Sequence, residues 1–151
     1  LLTAKVWKNF SDNDSQYDSI YGKLYNWPAV NNWRNACPTG WHVPTDAEWT
    51  KLQNYLSNNG HEETEGRALK STSEWFGATA NGTDDFGWNG LPGGNRIGYG
   101  SYHNKLLYGA WWSSSTKYTY ALCRKLNPYN KIDSHYMSKD NGLSIRCVKN
   151  Y

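Results

Sequence analysis

The sequence predicts a single α+β domain, and three observations carry that prediction. One well-capped amphipathic helix lies in the first half, alternating strand-type residues return in the last third, and rings supply most of the apolar mass. The chain has 151 residues, enough for one domain with a real core. Nine Trp and twelve Tyr stand against three Phe and one Met. Much of the interior must therefore carry an N–H or O–H that needs a partner. Mean hydropathy is −0.86, but so many aromatics argue for a folded chain braced by turns.

Taken in order, Ala4–Phe10 has strand character and Ser11–Ser19 reads as a polar loop. In Asn26-Trp27-Pro28-Ala29-Val30, Asn26 is a capping type and Pro28 suits a first helical turn, where its missing N–H costs nothing. That helix is expected to run to about Ala36 and stop before Pro38 and Gly40. The clearest element follows. Thr45-Asp46-Ala47-Glu48 is a capping box, with Trp49, Leu52, Tyr55 and Leu56 at helical spacing and Asn58-Asn59-Gly60 as the stop. Glu62–Lys70 reads as one or two helical turns, with Glu62, Glu63 and Glu65 on a solvated face. Ser71–Gly100 is a long loop region rich in Gly, Asn, Ser, Thr and Asp. Strands are expected over Ala110–Ser114, Tyr118–Leu126, Ile132–Met137 and Leu143–Lys149. Alternation puts Leu143, Ile145 and Cys147 on one face, and of Trp111 and Trp112 one should be buried and the other partly exposed.

Composition excludes several function classes. The net charge of +3 is dispersed, with no block of like charges, so a nucleic-acid partner is not expected. No apolar run approaches the roughly 20 residues of a membrane span, so no membrane insertion is expected. Leu1-Leu2-Thr3-Ala4 runs straight into Lys5 and Trp7 without a signal peptide, as in a mature or excised form. Neither Cys37 nor Cys147 belongs to a CxxC, which removes zinc-ligand and thioredoxin readings. A Cys37–Cys147 disulfide would close a loop of about 110 residues, worth roughly 4–5 kcal/mol, and would imply an oxidising compartment. The alternative is two buried thiols. Cys123 is left over in either case.

Several segments resemble a known family. Ala36-Cys37-Pro38-Thr39-Gly40-Trp41-His42-Val43-Pro44-Thr45-Asp46-Ala47-Glu48-Trp49 is similar to the hallmark of the Fibrobacter succinogenes major paralogous domain. So are Ala68–Trp75, Gly82–Trp88, Leu91–Arg96, Trp111–Ser115 and Asn141–Val148, in the family's order. That family is similar in turn to the formylglycine-generating enzymes. The resemblance implies a C-type-lectin-like fold of two helices, a small twisted antiparallel sheet and long loops, and it supports pairing Cys37 with Cys147. It also implies an extracellular, cell-surface or phage-virion setting, and the family has no established general activity.

Catalytic constellations are thin. The formylglycine-generating enzymes hold copper on two neighbouring cysteines, whereas Cys123 is left as a lone thiol once Cys147 is given to Cys37. A divergent oxidase of that kind is the runner-up reading. His42, His61, His103 and His135 show no metal-ligand spacing, and His42 reads as a structural, hydrogen-bonded residue. Asp84 and Asp85, beside Asn81 and Asn89, lack the alternating acids of a calcium loop and read as an Asx-turn network. Leu91–Arg96 has no strand and helix to frame it as a phosphate loop and reads as a turn needing positive φ at glycine. No enzyme activity, metal or cofactor is expected.

The C-terminal third carries the functional signal. Seven tyrosines lie between Tyr99 and Tyr136 among Ser, Thr, Asn and His, a mixture that pairs stiff contact area with adaptable hydrogen bonding. The expected ligand-binding set is Tyr118, Tyr120, Cys123, Asn127, Tyr129, Asn130, Asp133, His135 and Tyr136, facing a surface protein or glycan. Each of these residues, and Leu122, is reachable from an Asn codon by changing its first two bases. That is compatible with a target of a diversity-generating retroelement, in which Lys117, Lys125, Lys131 and Met137 would have to be invariant framework. A third reading makes Arg124, Lys125 and Lys131, near Tyr129 and Tyr136, a basic stacking platform for single-stranded nucleic acid.

Overall fold

The computed structural model describes residues 2–9, 15–32 and 36–151. Helices and small antiparallel sheets mix in an α+β domain. At the start, β1 (Val6–Trp7) pairs with β2 (Leu24–Tyr25), and between them lies α1 (Ser15–Tyr21). The strand expected over Ala4–Phe10 is therefore only two residues long. Phe10 and residues 11–14 of the expected loop lie outside the described residues. The rest of that loop is helical, with the Tyr17 and Tyr21 rings stacked at 6.4 Å one turn apart. Next comes α2 (Trp27–Val30), capped by the Asn26 side chain, which accepts from the Ala29 N–H. It ends at Asn31, well before Ala36, because Asn31 closes the last turn on the Trp27 carbonyl and leaves helical geometry at ψ 22°. Residues 33–35 of the expected helix lie outside the described residues.

β3 (Trp41–His42) leads into α3 (Asp46–Leu56), whose capping box is complete. The Glu48 N–H donates to Thr45 Oγ1 at 3.2 Å, and the Thr45 N–H donates to Glu48 Oε2 at 2.8 Å. This helix buries Trp49 and Leu56 and opens into a wide turn over Ser57–His61. One further turn of helix follows, α4 (Glu65–Leu69). Glu62 and Glu63 are exposed as expected, but Glu65 is buried, because α4 aims it back under the wide turn, where Ser57 Oγ donates to it at 2.6 Å.

The long loop region contains a 3-10 turn (Ala78–Ala80) and β4 (Asn95–Arg96), which forms a small hairpin with β5 (Tyr102–His103) just beyond it. Gly94 sits at φ +62°, the left-handed conformation expected of the glycine-rich turn. The main sheet is antiparallel, in the order β6 (Gly109–Lys117), β7 (Tyr120–Leu126), β8 (Ile132–Ser138). The strand expected over Leu143–Lys149 is cut down to β9 (Val148–Lys149), which pairs with β3. Its first half instead stitches two elements together. Leu143 exchanges hydrogen bonds with Tyr25, and Ser144 bonds to Ala110 and Trp112 of β6.

Two interiors lie on opposite sides of β6. One gathers Val30, Val43, Trp112, Cys123 and Leu143, with Ile145 and Cys147 packed against it, so Leu143, Ile145 and Cys147 do share a side. The other gathers Trp49, Leu56, Leu69, Trp75, Trp111 and Leu126. Trp111 and Trp112 are consequently both buried, at 5% and 0% exposure. The expectation of one exposed ring fails because both faces of β6 are covered. Buried indole N–H groups find carbonyls: Trp112 donates to that of Tyr25 at 2.6 Å, and Trp75 to that of Gly90 at 3.1 Å. Cys37 and Cys147 form a disulfide, and Cys123 is a free, buried thiol.

Candidate recognition surface

The sheet register divides the expected ligand-binding set into two groups. Tyr118 and Tyr120 stand at the β6–β7 turn, and Tyr136 lies beside them on β8, where it pairs with Leu122. Asn127, Tyr129 and Asn130 belong to the β7–β8 connection at the other end of the sheet, next to Asp133. The seven residues of β7 separate the two ends by about 20 Å.

At the first end the rings are displayed rather than packed. Tyr118 is 87% exposed, Tyr120 49% and Tyr136 52%. Lys117 bridges two of them: its Nζ donates to the Tyr136 hydroxyl at 3.3 Å and lies 5.9 Å and 5.3 Å from the Tyr118 and Tyr136 ring centres. Tyr118 adopts φ +55°, which turns its side chain out at the tip of the hairpin.

At the second end Tyr129 and Asn130 are exposed, but the loop beneath them is fastened. The Lys70 ammonium is buried at 1% exposure and donates to the carbonyls of Asn127, Pro128 and Tyr129 at 3.1, 3.3 and 3.0 Å. It also sits 5.0 Å from the Trp75 ring centre. Burial, with Arg67 nearby, pulls Lys70 down to about 8, while the three carbonyls and the ring favour its charged form. α4 closes on the same loop: the Arg67 N–H donates to the Asn130 carbonyl, and a Cβ on Gly66 would meet the Lys131 carbonyl oxygen at 2.3 Å.

Two members of the set do not reach the surface. Cys123 is 1% exposed because its face of β7 packs into the interior with Trp112; burial pushes its thiol up to about 12, against the pull of Lys125 and Arg124. Asn127 is 8% exposed and braces its own loop, donating to Asp133 and accepting from the Tyr129 N–H. Neither can touch a ligand directly. His135 is exposed, and Asp133 is half-buried and held by Asn127. The basic platform does not assemble. Arg124 is buried and spent on Asp46, Ser134 and Thr50; Lys125 lies over the Tyr108 ring; Lys131 pairs with Glu63.

The remaining polar candidates are structural. His42 contacts Asn150 at 2.6 Å and Glu48 at 2.9 Å, locking β3 to α3. Asp84 accepts from the Asn89 N–H, Asp85 from Thr83 Oγ1 and Asn81 from the Trp75 N–H, the turn network expected there. Among the described residues no three His, Cys, Asp or Glu side chains form a metal-binding group.

A family model of the Fibrobacter succinogenes major domain matches residues 2–149. The chain belongs to that family. No curated protein and no solved structure matches it. In this Fibrobacter succinogenes major domain the resembling segments map onto the framework. Residues 36–49 supply one half of the disulfide, β3 and the capping box; residues 68–75 supply Lys70 and Trp75; residues 111–115 and 141–148 supply the β6 wall and the strap across it. The exposed Tyr118, Tyr120, Tyr129 and Tyr136 fall between the last two.

Sequence reasoning passed over Lys70 and Arg146. A lysine beside serine and threonine reads as solvated. Its only signal is a neighbouring apolar pair, Ala68-Leu69.

Proposed function

We propose that this domain is a non-enzymatic recognition module on a C-type-lectin-like scaffold, and that the cluster of Lys117, Tyr118, Tyr120 and Tyr136 is its ligand-reading patch. One observation carries the reading: three tyrosines at one end of the sheet each expose about half or more of their surface, and a lysine bridges the rings of two of them, Tyr118 and Tyr136. Rings with no packing role offer large, stiff contact area at small entropic loss. A buried, protonated Cys123 is a framework thiol and suits neither thiolate nor copper chemistry, which favours recognition over oxidation. The Cys37–Cys147 disulfide supports an oxidising destination, at a cell surface, in secretion or on a phage particle.

The ligand class is a surface protein or glycan. Arrays of both, probed with the isolated domain, test the reading. The Tyr118→Ala/Tyr136→Ala variant should lose binding by about tenfold or more, the size of an interface hot spot. The Tyr129→Ala variant should stay close to the parent. Binding untouched by the paired change refutes the assignment of the patch. The reading extends to targeted diversification: Tyr118, Tyr120, Tyr129, Asn130, His135 and Tyr136 are exposed and reachable from Asn codons. Genomic sequence lacking an Asn-rich template repeat beside a reverse-transcriptase gene would remove that extension.

A further inference from the structure

Two open cavities of about 370 and 410 Å³ lie between α3 and the segment around β9, and they share Glu48, Leu52, Val148 and Lys149. Shared walls make them one groove. Its floor is aromatic for a local reason. Trp88 stands edge-on between Trp49 at 6.0 Å and Trp111 at 4.8 Å, so one edge of the second interior opens to the outside. Trp41, 40% exposed, stands at the mouth. A cavity of this size, lined by rings and a few polar groups, matches a small-molecule site.

Charge decides what enters. Arg146 lines the groove with its guanidinium 4.3 Å from the Trp88 ring centre. One N–H is used, donating to the Trp88 carbonyl at 2.6 Å; among the described residues no carboxylate lies within ion-pair distance of it. Burial lowers its pKa while Asp84 raises it from further off, and that carboxylate already accepts from Asn89. Lys51 and Lys149 add positive charge along the groove. The acid lining it, Glu48, is occupied at both oxygens by His42 and Thr45. The groove is thus apolar in its floor and positive in its charge, with guanidinium donors left over.

We propose that this groove binds a small organic acid, its carboxylate on Arg146 and its aromatic or alkyl body against Trp41, Trp88 and Leu52. A guanidinium stacked on a ring keeps its fork fixed, which suits a planar carboxylate. The site shares no residue with the tyrosine cluster, so the two assignments stand or fall separately.

Phenylbutyrate and its neutral counterpart phenylbutanol test it, titrated into the folded domain and followed by indole N–H resonances. The acid should bind about tenfold tighter than the alcohol, the size of a charge-assisted hydrogen bond, with shifts at Trp41, Trp49 and Trp88. Arg146→Met should erase the preference, and Tyr118→Ala/Tyr136→Ala should keep it. Equal binding of acid and alcohol overturns the proposal, as does a preference that survives in folded Arg146→Met or shifts that bypass these indoles. Should Arg146→Met not fold, Trp41→Ala decides: it should weaken both probes alike, and unchanged affinity overturns the site.

Discussion

Replacing Lys70 by Met keeps the length and apolar stem of the side chain and deletes only the ammonium, so it measures what the clasp on the β7–β8 loop is worth. Three carbonyls lose a charged donor. Of these contacts the one to Asn127 is fully buried and those to Pro128 and Tyr129 are partly so. Charge-assisted bonds contribute about 1.5–3 kcal/mol each, and water can replace part of the outer two, which puts the gross loss near ~5–7 kcal/mol. Against this, Met escapes the desolvation of a buried cation. The fall of Lys70 from 10.5 to about 8 sets that relief at roughly 3 kcal/mol. The net is a destabilisation of about 2–4 kcal/mol, a large share of the ~5–15 kcal/mol typical of a domain. Urea unfolding with the disulfide intact reads it as a midpoint lower by about 1–2 M at unchanged slope. Amides of residues 127–131 should exchange faster in the same variant. A Met variant equal to or more stable than the parent would refute the reasoning, since the ammonium would then be a burden the loop does not need.

Removing the disulfide through Cys37→Ser/Cys147→Ser should cost about 5 kcal/mol, because residues 110 apart in sequence are no longer tied in the unfolded chain; urea unfolding measures it, and a loss below about 1 kcal/mol would contradict the entropic account. The His42–Glu48 contact gives stability a pH signature. Hydrogen bonds to Asn150 and Glu48 raise His42 above its ordinary 6.5, so its contribution is full below that value and fades as pH rises through the raised one. Burial pushes Glu48 up, but Thr45 and His42 outweigh it and hold the carboxyl below 4.5, so its contribution is full above 4.5 and fades as pH falls. The pair therefore contributes most between about 4.5 and 6.5, by ~1 kcal/mol or less given its exposure. Thermal midpoints across pH should show that hump in the parent and not in His42→Gln.

Local chemistry made part of this fold legible. Thr45-Asp46-Ala47-Glu48 announces its helix because the cap is made within four residues, and Asn26 does the same for α2. The alternation of Leu143, Ile145 and Cys147 identifies a shared side even though the regular strand is mostly absent. What escaped depends on distant partners. Alternation predicts one exposed ring of the Trp111-Trp112 pair because nothing local shows that α3 and α4 cover one face of β6 while α2 and the disulfide cover the other. Cys123 and Asn127 sit in the same Tyr-rich run as the displayed rings, and only the register of β7 against β6 and β8 sends them inward. Lys70 and Arg146 carry no local sign of their roles because their acceptors lie 57 to 59 residues away for one and 58 for the other.

Trp111 and Trp112 are consecutive, so a single peptide bond joins the two interiors. Freeing either indole disturbs the backbone that seats the other, so the two halves are expected to melt together. Subglobal opening is then expected at the rim, at the hairpin tip and the long loops. Amides of β6 around this pair should exchange with solvent only through complete unfolding. Rim residues, in turn, can change with little disturbance to the cooperative unit beneath them.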